Sequence, residues 1–566
     1  MRKLDGKPPA SKEDGLNEWR TYFNNLLNNK SKFTSSAYHP VPSNDNNEIS
    51  TSNFSSREVK EAIKHLKSNR ALGLDYALTA EVLKKGGNFI REQIYFICNL
   101  VFDNLHAPST WTSNIIVTVP KKGNLQLMTN YRGISLMSIA AKVYNLMLLN
   151  RIRTPIDKLL RKNQAGFRIG RSCVQQINIL RRIMDGAYSQ NIPLFVTFID
   201  FKKAFDSIDR DMMFAILRHY GIPNRIVSAI KVLYENSSSQ VFLEGELSEP
   251  FSITTGVLQG DVLAPFLFVI VIDYVMRRAE HGFGYLTHRR NGSRQAERRI
   301  NDLDFADDIA LLENSIEDAQ RQLNALNEES KKVGLEVNTM KTVQMRLNIP
   351  EDFNAPHLTI DGEKVEVVQD FKYLGSHMNS DVKDIEARIA LAWGAFHKLE
   401  KILTSRHVAV MLRVRFFNAA CVSILLYGCE SWLVTKSLSI KLDVFARKCY
   451  RRMIGVVQSE DRMTNEDLYD RVQSAPISTL IRHRQMSFTG HCLRMNQDEP
   501  ANIYMLYTSN VRASNRRGRP RMSYLDQMST YMGYDRKSIT VEDVRREATE
   551  AKGEKWKLRY CRLRSG

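Results

Sequence analysis

The stretch FVTFIDFKKAFDSIDR, residues 195–210, decides the fold. Its first five residues, Phe195 to Ile199, are continuously β-branched or aromatic, the composition of a strand buried on both faces, and the run ends on Asp200. A carboxylate at the mouth of a buried strand needs a chemical reason. A helix should follow, capped by Asp209, with Met213, Ile216 and Leu217 facing inward and Gly221 and Pro223 as stop signals. A second stretch, LDFADDIALL (303–312), brings two short apolar runs together at adjacent aspartates, which predicts a hairpin with Asp307 and Asp308 at its tip. Asp200 and Asp307, on separate β elements, can converge on one face of a sheet and hold two Mg²⁺ ions about 4 Å apart. Taken singly, each would be read as an ordinary turn or cap residue.

Composition narrows the partner. The chain has 566 residues, enough for roughly three or four domains, and Lys plus Arg outnumber Asp plus Glu by 81 to 62, a net charge of +19 that favours a polyanion. Nucleic acid ranks ahead of an anionic membrane. The longest apolar run, Val262 to Ile272, is interrupted by Asp273, far short of the roughly 18 to 20 residues that span a bilayer. No membrane partner is expected. The N-terminus shows no secretory signal, and seven scattered cysteines without a C-x-x-C pair suit a reducing compartment, so the protein should be intracellular and not secreted. His483, His491 and Cys492 could join Cys449 around a zinc ion, but their spacing fits ordinary core or surface positions better.

Along the chain, residues 1–54 read as a helix carrying Trp19, Phe23, Leu26 and Leu27 on one face, followed by an Asn/Ser-rich linker. Folded chain resumes at the capping box Ser55-x-x-Glu58, with Val59, Ile63 and Leu66 at helical spacing until Gly73. An apolar helix is expected over 262–276. Ile385, Ile389, Trp393, Phe396, Leu399 and Leu403 then form one helical stripe, with more helices to Arg494. Residues 501–566 hold 15 Lys/Arg against 7 Asp/Glu, a concentration of basic charge.

Five stretches in order resemble motifs A to E of a reverse transcriptase: FIDFKKAFDSIDR (198–210), TGVLQGDVLAPFLF (255–268), FADD (305–308), GLEVNTMKT (334–342) and FKYLGS (371–376). Upstream, VPKKGN (119–124), NYRGISL (130–136) and NQAGFRIGRSC (163–173) are similar to the fingers of the non-LTR, LINE-type retrotransposon branch, nearest its RTE-like clade. The likeness continues through LLYGCESW (425–432) and TGHCLRM (489–495) to RGRP (517–520). Motif B departs from the branch's commonest pattern, with Asp261, Val262 and Ala264 where many members have Cys, Pro and Ser.

The resemblance implies an α+β, right-hand polymerase with fingers, palm and thumb and a helical, basic C-terminal extension. Its segments would be a fingers extension at 55–118, the reverse transcriptase domain at 119–378 with the palm from about residue 191, a helical thumb at 379–495 and the extension at 496–566. The implied activity is RNA-directed DNA polymerisation, adding dNTPs to a primer 3′-hydroxyl with two Mg²⁺ ions, or Mn²⁺ in their place. RNA template and DNA primer are the implied partners, in nucleus and cytoplasm, with oligomeric state left open. About 50 residues precede the first fingers helix, too few for the endonuclease domain that such elements usually carry there. The other reading is a catalytically idle relic that only binds nucleic acid; an RNA-templated RNA polymerase is disfavoured by Phe205.

By position, Asp200, Asp307 and Asp308 would hold the metals, and Lys341 would protonate the leaving pyrophosphate. Phe205 would stack under the sugar and exclude a ribose 2′-hydroxyl. Gln259 and Gly260 would floor the nucleotide pocket, a side chain at Gly260 blocking the backbone's approach. Lys121 or Lys122, with Arg132, would clamp the triphosphate. Arg168 and Arg171 would contact nucleic acid, as would Arg517 and Arg519, the core of an AT-hook-like match or else phosphate contacts in a basic tail. That tail has a competing reading in which Tyr524, Leu525, Trp556 and Leu558 are buried against the thumb.

Overall fold

The computed structural model describes residues 9–28, 40–75, 78–121, 123–280, 282–290, 296–349, 356–511, 521–535 and 538–561. Helix α1 (Lys12–Leu27) begins at a Ser11 cap and buries Trp19, Tyr22 and Phe23. The stretch expected as a linker behaves differently over its described part. From Pro40 to Phe54 it is extended, but the Ser43 and Asn46 amides donate to the Arg218 and Gly221 carbonyls, and Ile49 and Phe54 are buried. Its polar composition hides a strap, because backbone pairing to a distant turn leaves no mark on local hydropathy. Helix α2 (Ser56–His65) opens with the capping box, the Ser55 hydroxyl accepting from the Glu58 amide and the Glu58 carboxylate accepting from the Ser55 amide at 2.8 Å. It stops at His65, before Gly73.

Strands β1 (Ser113–Pro120) and β2 (Tyr131–Leu136) pair antiparallel, which sets Val119 opposite Arg132. Trp19 of α1 meets Tyr131 edge-on at 5.2 Å, so the N-terminal helix is part of the fingers. Helices α3 (Ile139–Asp157) and α4 (Cys173–Gln190) lead to β3 (Leu194–Ile199), buried at all six positions as its unbroken apolar run predicts. Helix α5 (Arg210–His219) carries the expected cap, the Asp209 carboxylate accepting from the Met212 amide at 2.9 Å. Strand β4 (Ser238–Leu243) returns to the fingers sheet parallel to β1, and the apolar helix α6 (Ala264–Ala279) is buried almost all round.

The predicted hairpin is β5 (Asp302–Phe305) and β6 (Asp308–Glu313), joined by Ala306 and Asp307. After α7 (Ile316–Lys332) come β7 (Val343–Leu347) and β8 (Glu366–Val368), completing a sheet of order β8-β7-β3-β6-β5. Strand β3 is central, with Ile199 opposite Ile309 on one side and Phe198 opposite Val343 on the other. Alternation along β3 sends Phe195 and Ile199 into the core shared with α5, α6 and α7, and Leu194, Val196 and Phe198 toward α4.

Helices α8 (Asp381–Leu403), α9 (Lys436–Ile454) and α10 (Ile477–Leu493) build a core around Phe396, Phe417, Trp432 and Tyr450. The basic C-terminal stretch folds back: α11 (Tyr524–Met532), α12 (Val541–Thr549) and α13 (Glu554–Tyr560) share their core with α4 and the sheet. The Trp556 indole, fully buried, donates to the Met486 carbonyl at 2.8 Å, and the Arg182 guanidinium lies 4.5 Å over the Tyr524 ring. Of the four residues in the packed-tail reading, Tyr524 and Trp556 are buried, Leu525 is half-buried and Leu558 is exposed. Arg517 and Arg519 lie outside the described residues. The four residues offered as a zinc alternative stay apart: Cys449 and Cys492 sit in different cores, His483 bonds the Cys561 carbonyl, and His491 faces solvent.

Trp556→Ala is expected to cost about 3–5 kcal/mol of stability, the usual loss for a buried tryptophan. The melting temperature should fall while the salt dependence of nucleic-acid binding stays as it was. A shift in salt slope without loss of stability would mean that this segment grips phosphate directly.

Candidate active site at the head of the palm sheet

The register that places Ile199 opposite Ile309 brings Asp200, one residue beyond β3, level with Asp308 at the start of β6. Asp307 occupies the turn between them and β5. The three carboxylates feel one another. Asp307 is held above its usual range by burial, then by Asp200; Asp308, at the rim of the basin, is pushed up to about 6 by burial, then by Asp307 and Asp200. Among the described residues no three carboxyl, imidazole or thiol groups are arranged tightly enough to cage an ion alone. Their carboxylate oxygens are of the donor type that hard cations take, with water completing the shell.

The motif D loop docks against Asp200. The Asn338 amide donates to the Asp200 carbonyl at 2.7 Å, its side chain donates to the Asp200 carboxylate at 3.1 Å, and the Lys341 ammonium stands 3.6 Å from the same oxygen. Lys121 and Arg132 share the adjacent end of the β1–β2 hairpin. Burial first, and then Arg132, keeps the Lys121 ammonium below its usual value, with Asp206 and Asp200 opposing. Lys121, Arg132 and Lys341 therefore ring one rim of the basin. Lys122 lies outside the described residues.

Phe205 is half-buried, stacked on the buried Phe268 at 4.2 Å and 16°. Beside it, the Gln259 side chain donates to Asp206 at 3.0 Å; burial first pushes that carboxyl up to about 6, while Lys203 and Gln259 pull it down. The Gln259 carbonyl accepts from the Ser135 amide at 2.6 Å, and Gly260 has φ +122 with the space for a Cβ filled by the Ser135 carbonyl. The glycine requirement thus comes from contact with β2 of the fingers, a different neighbour from the nucleotide expected. The motif B variant Asp261 is buried and accepts from the Asn145 side chain at 2.7 Å.

Arg168 and Arg171, expected at nucleic acid, have their guanidinium groups engaged within the protein. The Arg168 guanidinium is buried and donates to Asp157, the Arg161 carbonyl and the Gln164 carbonyl; Arg171 donates to the Lys162 carbonyl and pairs with Glu499 at 2.8 Å. Both brace the loop 161–172 that supports the hairpin. In that loop the Gln164 side chain accepts from the Ala306 amide at 2.8 Å and donates to the Ala306 carbonyl, holding the turn residue at φ +58. Gly166 lies flush against Ala306, where any side chain would collide with the Ala306 backbone. Behind the turn, Arg161 is buried among Asp302, Asp304 and Asp273. Burial opposes its charge, but the three carboxylates hold its pKa above the usual value; Asp304 is raised by burial, then by Asp302. Sequence reading missed Arg161, Gln164, Asp206 and Asn338. The last three stand inside quoted motifs, so their positions were visible while their partners were not.

A buried strand ending in aspartate lies beside a two-aspartate hairpin, next to the β1–β2–β4 sheet and ahead of a helical region, the order that the sequence resemblance implies. Residues 119–378 match the family described as reverse transcriptase (RNA-dependent DNA polymerase). Curated relatives include a retrovirus-related Pol polyprotein from the type-1 retrotransposable element R2 of Nasonia vitripennis, 26% identical over 52% of this chain and 28% of its own length. Another is the RNA-directed DNA polymerase from mobile element jockey of Drosophila melanogaster, 22% identical over 70% of this chain and 43% of its own. The chain thus spans less than half the length of either. A solved structure of apo telomerase from Candida tropicalis, truncated from its C-terminal domain, aligns over 49% of this chain and 55% of that one, at 14% identity and a TM-score of 0.35. No helix among the described residues is long and apolar enough to cross a membrane.

Two outcomes follow from this geometry. Arg161→Ala leaves three buried carboxylates without their shared cation and should cost about 3–5 kcal/mol in urea unfolding. For Asp261, burial first and foremost raises the folded pKa, with Asn145 partly offsetting it. A carboxyl so raised favours the fold below its unfolded pKa and loses that contribution as pH climbs through the folded value. Asp261→Asn should therefore raise the melting temperature more at pH 8 than at pH 5, and an equal change at both would contradict the assignment.

Proposed function

We propose that the chain is the RNA-directed DNA polymerase of a non-LTR retrotransposon, extending a DNA primer on an RNA template inside the cell, in nucleus and cytoplasm. The observation that carries the reading is the meeting of Asp200 with Asp307 and Asp308 at one end of the palm sheet, where their mutual repulsion calls for cations. Asp200, Asp307 and Asp308 would hold two Mg²⁺ ions. When bound, such ions lower the pKa of the primer 3′-hydroxyl and neutralise charge on the leaving pyrophosphate.

The rest is done by the chain's own side chains. Asn338 and Lys341 hold the Asp200 carboxylate by hydrogen bond and charge. Lys121 and Arg132 face the same basin and would grip the triphosphate, where charge-assisted contacts strengthen as negative charge moves toward the leaving oxygens. Lys341, exposed and 3.6 Å from Asp200, would give its proton to departing pyrophosphate. Phe205, backed by Phe268, would close the space beside the sugar where a 2′-hydroxyl would sit.

Purified chain, given an RNA template with an annealed DNA primer, dNTPs and Mg²⁺, should extend the primer. Asp200→Asn or Asp307→Asn should abolish extension by several orders of magnitude and leave primer-template binding nearly unchanged. Binding without extension by the wild type would instead identify an idle nucleic-acid-binding relic, and robust extension by either variant would overturn the site.

A further inference from the structure

Phe205 has a second aromatic neighbour that no motif brought into view. Phe167 meets it edge-on, with ring centroids 6.3 Å apart and planes at 86°, on a contact separate from the Phe268 stack. The same Phe167 ring lies 6.5 Å from Phe305, the residue that ends β5 and enters the Ala306–Asp307 turn. Phe167 thus touches both the sugar-facing residue and the hairpin that bears the catalytic carboxylates.

Its placement has no account in core packing. Phe167 is 48% exposed, and its backbone is left-handed at φ +54, a conformation that bulky side chains avoid. Such a conformation persists only where surroundings over-determine it. Here they do: the next residue, Arg168, is locked by Asp157 and by the carbonyls of Arg161 and Gln164, and Gly166 is wedged against Ala306. The loop spends a buried guanidinium and a strained backbone to present a half-exposed ring to Phe205.

We propose that Phe167 is a positioning residue for sugar discrimination, fixing the Phe205 ring and its spacing from the catalytic turn. This rests on the polymerase reading above. Phe167 adds a perpendicular ring contact to Phe205 beside the Phe268 stack, so its loss frees the ring to tilt away from the sugar.

The test compares incorporation of one deoxynucleotide with that of the matching ribonucleotide, on an RNA template with a DNA primer, by the full chain and by Phe167→Ala, Phe167→Leu and Phe167→Tyr. Phe167→Ala should lower the preference for deoxynucleotide by about two- to tenfold, the range set by one aromatic pair. The change should lie mainly in a lower ribonucleotide KM. Phe167→Leu, which keeps bulk but lacks the ring edge, should do the same if the alanine variant folds poorly, and Phe167→Tyr should restore the wild-type ratio. Leucine and alanine variants that extend primers with the wild-type ratio overturn the proposal. A leucine variant that loses both nucleotides in equal proportion also overturns it, since a merely structural role would act so. A wild-type chain that extends no primer removes the polymerase reading itself, and the proposal with it.

Discussion

One buried arginine holds the aspartate-bearing end of the central sheet together. Arg161 stands among Asp302 and Asp304 on one strand and Asp273 on the long apolar helix, all three carboxylates fully buried. Its own amide donates to Asp273, which also receives the Tyr220 hydroxyl at 2.6 Å and the Arg277 guanidinium at 2.8 Å. A desolvated arrangement of this kind gives little net stability but tolerates only one geometry, since any displacement strands a charge in a low-dielectric interior. Asp307, in the hairpin turn, is three residues from Asp304. Its position is therefore set by electrostatics behind it, before any cation arrives in front.

Rigidity in that direction is matched by openness in the other. Asp200, Lys341 and the Lys121/Arg132 end of the β1–β2 hairpin come from three separate segments and approach one another with few direct bonds. The fingers reach this basin through backbone contacts, the Ser135 amide to the Gln259 carbonyl and the Ser135 carbonyl against Gly260. Those contacts are independent of side-chain identity except for the glycine itself.

What could be read in advance divides by the range of the interaction. The β3 strand, the Asp209 cap, the Ser55 capping box and the aspartate hairpin all rest on residues within a few positions of one another, and the structure has them. The 40–54 strap and the fold-back of residues 524–560 rest on partners dozens of positions away, so local polarity pointed to a linker for the one and left a solvated or a packed tail open for the other. Arg168 and Arg171 show the same limit in the site. An arginine bound to carbonyls and one bound to phosphate look alike in a sequence, and only the donors' neighbours tell them apart. Phe205 came into view through the family resemblance of its motif, whereas Phe167 was hidden because its role depends on a left-handed backbone.

Helix α4 illustrates how chain order and spatial order part company. Its inner side covers the palm sheet, while its outer side is covered by residues synthesised far later, Ser431 against Arg181, Met505 against Asn178 and Tyr507 against Gly186. On a ribosome adding about 5 to 20 residues each second, roughly 300 residues and hence about 15 to 60 seconds separate the helix from its outer cover. In the last part of that interval, once the sheet is completed by β8 at residues 366–368, the nascent chain carries an uncapped apolar flank whose outer cover is still to be made. Translation speed and chaperone shielding of that flank, more than the intrinsic stability of the finished molecule, then govern how much of the chain reaches its native form.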